Sequence, residues 1–77
     1  MFKLAELKVG EKGCILQITN PQIHFYLLNM GCMPQTNLEV VNIAPLGDPI
    51  AIKVGNTVLS IRKRDAQCIQ IQKQDTI

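Results

Sequence analysis

Pro45, Gly47 and Pro49 fall within one heptapeptide, APLGDPI, set between the apolar runs LEVVNI and IAIKV. A helix interior loses a hydrogen bond at a proline, and a central strand loses a ladder bond. The chain must therefore turn here. Pro45 suits the second position of a β-turn and Gly47 its fourth. Asp48 precedes a proline and is pushed toward an extended backbone. Pro49 can open the following strand, because a first residue need not donate to the ladder. Asp48 has no His, Ser or second carboxylate beside it in the chain. Pro45, Gly47, Asp48 and Pro49 thus read as a structural corner, not as a chemical centre.

The rest of the chain can be read outward from that corner. Ile50 to Val54 alternates, Gly55-Asn56 fits a two-residue hairpin loop with positive φ at both residues, and Thr57 to Ile61 returns with Leu59 and Ile61 on one face. Upstream, Leu38 to Ile43 predicts a central strand, and Cys14 to Ile18 a strand with Cys14, Leu16 and Ile18 on one face. Leu4, Leu7 and Val9 form an apolar leading segment that ends in the turn-like Gly10 to Gly13 cluster. Arg62 to Ala66 interrupts the β pattern and predicts a single helical turn; Cys68 to Ile71 then closes the sheet with Ile69 and Ile71 inward. Residues 73–77 read as a frayed tail. Between the first two strands, Asn20 is a helix N-cap and Pro21 the first helical residue. Ile23, Leu27 and Met30 make the inward stripe, Gly31 stops the helix and Pro34 prevents a restart. The expectation is a mainly β chain: a small barrel of about five strands, one short helix after the first strand and a helical turn before the last. Closure follows because so many short strands leave exposed edges in an open sheet. With 77 residues there is one domain, spanning 1–77.

Composition removes several function classes. Net charge is +2, scattered along the chain, and Arg62-Lys63-Arg64 is the longest basic run, which argues against nucleic acid. The three cysteines make no CxxC pair and no even-numbered framework, so reduced thiols and a cytoplasmic location are expected. Charge at Lys3 and Glu6 comes too early for a signal peptide, and no run approaches the roughly 20 apolar residues of a membrane helix, so direct membrane insertion is not expected. With one histidine and no phosphate-binding glycine loop, neither an enzyme nor a required cofactor is expected. His24 and Cys32 are the one Cys/His pair brought close by sequence, candidate ligands for a transition metal such as Fe(II) or Zn(II); a helix histidine and a buried thiol is the plainer reading. The helix has more large apolar residues than one face can hold. Ile23, Phe25, Tyr26, Leu27, Leu28 and Met30 are either buried on two sides or form, with Gly31 and Met33, an apolar face for another protein, rimmed by Arg62 and Arg64.

LLNMG followed by CMPQT, then VVNIAPLGDPI, then VLSIRKRDAQCIQI, with LKVG and Gly13 ahead of them, resembles the ferrous iron transport protein A (FeoA) family over nearly the whole chain. The resemblance implies an SH3-like β-barrel with a helix inserted after the first strand. It also implies a cytosolic accessory or regulator of bacterial ferrous iron uptake that contacts a FeoB-type membrane transporter, through that partner's cytosolic part. The contact would be Pro21 to Met30 with the Cys32 to Gln35 turn beside it; self-association is left open. Tyr26 and Asn29 stand where the family helix usually carries Arg and Glu, and Gln35 where a Gly usually follows the proline. The competing reading is a small metal-binding or metal-sensing domain using some of Cys14, His24, Cys32 and Cys68.

Overall fold

A computed structural model of the chain describes residues 2–74. Its strands are β1 (Phe2–Lys3), β2 (Lys12–Ile18), β3 (Asn37–Ile43), β4 (Ile50–Val54), β5 (Thr57–Ile61) and β6 (Ile69–Gln74). Helix α1 (Pro21–Asn29) lies between β2 and β3, the single turn α2 (Lys63–Ala66) precedes β6, and a 3-10 turn, Leu4–Glu6, follows β1. The strands form one antiparallel sheet in the order β1-β6-β2-β3-β4-β5. The mainly β class with two short helices is as the sequence predicts. The strand count is six rather than five, because Phe2 and Lys3 pair with Ile71 and Gln70. Two residues are too few to show alternation, so this strand has no sequence signature.

The sheet wraps one core without closing, since its end strands β1 and β5 share no pairing. Leu4, Ile15, Val40, Ile50, Ile52, Ile69 and Ile71 are all nearly or fully buried in it, with Leu27 of α1 filling one side and Ala66 of α2 another. Gly13 of β2 lies so close to Ile71 and to the Gln72 carbonyl that a side chain has no room.

Besides the strand count and the expected closure into a barrel, four expectations are corrected. In β2 the register against β6 shifts between Ile15 and Gln17, a bulge that changes the phase of alternation. Ile15 and Ile18 therefore face the core while Leu16 is exposed. In the β4–β5 loop only Gly55 has positive φ, +60°, as a turn with glycine at its first central position requires; Asn56 does not share it. Lys73 and Gln74 are not tail: they pair with Gly13 and Lys12, and Lys73 forms an ion pair with Glu11 and sits over the Phe2 ring. The remainder of the expected tail lies outside the described residues. The fourth correction, at Met30, follows from how α1 ends.

Candidate protein-interaction face

Helix α1 is fixed at both ends by local chemistry. The Asn20 side chain accepts from the N–H groups of Gln22 and Ile23 at 2.9 and 3.3 Å. At the other end Gly31, at φ +86°, donates to Leu28 and Cys32 donates to Leu27, the paired bonds of a Schellman motif. Met30 is the C-cap, off the helical spiral, which takes it out of the inward stripe and leaves it 43% exposed. Leu27 alone of the helix is buried, and Ile23 packs partly against the core. Phe25, Tyr26 and Leu28 are exposed, Phe25 by 66%, and Met33 in the following turn is exposed too. One side of the helix is buried, and the apolar remainder faces outward.

Between α1 and the end of β5 lies a groove of about 350 Å³, lined by Ile23, Tyr26, Leu27, Ser60, Ile61, Arg62 and Asp65. Ser60 and Arg62 also line a second hollow of about 390 Å³ against Asp48 and Pro49. The APLGDPI corner is built as a turn in which Gly47 N–H donates to Ala44 C=O at 2.7 Å, and the Asp48–Pro49 peptide is cis. Asp48 Oδ1 accepts from Lys63 N–H at 2.9 Å, so the corner holds the start of α2 and places Arg62 between the two hollows. Of the residues singled out in the sequence, Ile23, Tyr26, Leu27 and Arg62 meet in the groove. Phe25, Leu28, Met30 and Met33 lie outside it on exposed surface, and Arg64 points instead to Asp65, 3.8 Å away. Ser60, Ile61 and Asp65 have no sequence signal as site residues; only the fold brings the end of β5 to the helix.

Among the described residues the candidate ligands do not come together. Cys32 is fully buried, and burial pushes its thiol pKa up, against the thiolate that a metal takes. The thiols of Cys14 and Cys68 contact the carbonyls of Ile15 and Arg64. No three His, Cys, Asp or Glu side chains gather among the described residues. No helix there is long and apolar enough to cross a membrane.

A family model described as "FeoA domain" matches residues 2–73. A curated relative, the Fe(2+) transport protein A/Fe(2+) transporter FeoB fusion protein of Porphyromonas gingivalis, is 28% identical over 72 residues; these are 92% of this chain and 8% of that much longer one. The solution structure of FeoA from Chlorobium tepidum superposes with a TM-score of 0.90 at 29% identity, over 96% of this chain and 71% of that one. The zinc complex of Stenotrophomonas maltophilia FeoA, a prokaryotic SH3 domain protein, shares the fold: TM-score 0.80 and 21% identity over 94% of this chain and 91% of that one. With a family match over nearly all its length and an SH3-like fold in common, the chain belongs to the FeoA family, small accessory domains associated with ferrous iron transport.

Proposed function

We propose that this domain is a cytoplasmic interaction module of ferrous iron uptake that docks α1 and the adjoining groove on the cytosolic part of a FeoB-type transporter. The observation that carries this reading is the outward apolar face of α1, Phe25, Tyr26 and Leu28 with Met30 and Met33, beside the groove rimmed by Arg62. Several large exposed apolar side chains on one short helix and the turn after it are a feature of docking surfaces. Each large side chain that it buries on a partner contributes about 1.5–3 kcal/mol before ordering costs. The fusion of the two functions in one polypeptide in P. gingivalis supports the choice of partner. Modulation of the transporter then requires only that the module bind one of its states more tightly than another.

The metal-sensing alternative is favoured by the zinc bound to the S. maltophilia protein and opposed by the scattered ligand types in this one. Both are tested by amide NMR of the labelled chain. Addition of the transporter's soluble cytosolic domain is expected to shift residues 21–35 and Arg62, and Zn(II) or Fe(II) under anaerobic conditions is expected to leave His24 and Cys32 unmoved. Shifts at His24 and Cys32 with metal, and none with the domain, would reverse the choice.

A further inference from the structure

Strand β5 ends the sheet and bonds to β4 alone. Val54 and Thr57 close the two-residue loop, and from such a closing pair hydrogen-bonded and non-bonded positions alternate. Thr57, Leu59 and Ile61 therefore turn their N–H and C=O groups to β4, while those of Val58 and Ser60 point outward. Both residues are exposed, Val58 by 59%, and the pairing with β4 runs without a bulge. Edge strands are ordinarily blunted by proline, a bulge or an inward charge, and this one has none of them. The opposite edge, β1, is two residues long and runs straight into a turn.

Charge selects what this edge can take. Lys53 stands opposite Val58, and Arg62, Lys63 and Arg64 follow the strand. Of the nearby carboxylates, Asp48 accepts from the Lys63 N–H and Asp65 lies 3.8 Å from Arg64, while Glu39 stands opposite Lys53 on the β3 side with no ion pair to it among the described residues. Lys53 and Arg62 make no ion pair among the described residues. A second β5 would bring no acidic residue to them, since residues 57–64 contain none.

We infer that the outer edge of β5 accepts an extended acidic segment of a partner protein as an added strand. Val58 and Ser60 supply the backbone pairing, Arg62 receives a carboxylate, and the groove beside Ile23 and Tyr26 receives an apolar side chain. This deepens the docking reading and, for the transporter as partner, rests on it.

The test uses the full chain and a Glu-Val-Glu-Val-Glu-Val-Glu peptide, with a Lys-for-Glu counterpart and a form N-methylated at alternate amides. The acidic peptide is expected to slow exchange of the Val58 and Ser60 amides at least about tenfold. Binding should weaken about tenfold or more in Arg62→Glu and in Ser60→Pro, whose missing N–H lies on the edge. Amide dispersion checks that Ser60→Pro folds, and Arg62→Glu leaves the backbone donors in place. Equal binding of the N-methylated or lysine peptide overturns the inference, as does a lack of protection at millimolar peptide. Concentration-dependent protection of the same amides in the free chain also overturns it, in favour of self-pairing. If the transporter domain binds wild type, Ser60→Pro and Arg62→Glu equally, the edge is refuted while docking through α1 stands. If that domain fails to bind wild type while the acidic peptide protects both amides, the edge stands and the transporter reading falls.

Discussion

At the scale of single residues, two positions show how closely backbone and side chain are matched. Gly13 is buried against Ile71, a β-branched core residue that cannot swing aside, and against a backbone carbonyl. Gly13→Ala is expected to destabilise the domain by about 1–3 kcal/mol, visible as a lower denaturant midpoint. Gln35 is the opposite case: its φ of +73° is the one left-handed value at a non-glycine residue among those described. A left-handed backbone costs an L-residue about 1–2 kcal/mol, and glycine's larger unfolded-state entropy returns part of that. Gln35→Gly should therefore gain up to about 1 kcal/mol, a melting temperature higher by several degrees. Glu11 gives a pH signature. The hydrogen bond from Lys73, then that from the Lys8 N–H, holds its carboxyl below the ordinary value of 4.5. A lowered folded pKa means stability that is present above the unfolded value and lost as pH falls through the folded one. Acid titration of wild type against Glu11→Gln should show the two converging below pH 4.5.

At the scale of elements, α1 separates stability from contact. Leu27 is 1% exposed in the core and Phe25 is 66% exposed on the outer face. Leu27→Ala should cost about 2–5 kcal/mol. Phe25→Ala should change stability by no more than about 0.5 kcal/mol. Chemical denaturation measures both, and only Phe25→Ala is expected to keep the fold while weakening the partner. The limits of this helix were legible in sequence, since an Asn-Pro start and a glycine stop act through bonds to their own neighbours. Its inward face was only partly so. Leu27 and Ile23 follow from spacing, but Met30 leaves the stripe because the Schellman turn begins there. The face of β2 was misread for a related reason: a bulge shifts alternation by one residue, and nothing in ILQI announces it.

At the scale of the whole molecule, β6 is the keystone, lying between β1 and β2 while its sequence neighbour β5 lies at the far edge. Its pairing with β2 joins residues more than fifty positions apart, such as Ile15 and Ile71. Chains ending at Ala66 should therefore lack dispersed amide signals altogether, since Ile69 and Ile71 leave the core and both neighbouring strands lose a partner. A folded spectrum from that truncation would show that the sheet is sustained by β2 to β5 alone.

The sequence by itself determined what depends on short-range bonding and period: the corner at Pro45 to Pro49, the helix caps, the hairpin at Gly55, the mainly β class and the resemblance that places the chain in its family. Tertiary structure alone decided what depends on distant segments meeting. It pairs Phe2 with Ile71, draws Lys73 and Gln74 into the sheet, and leaves β5 as the open edge. It also brings Ser60 and Arg62 between α1 and the Asp48 corner. Local propensity fixes how each residue sits in its element; only the packing of the whole sheet fixes which elements become neighbours and which edge stays unpaired.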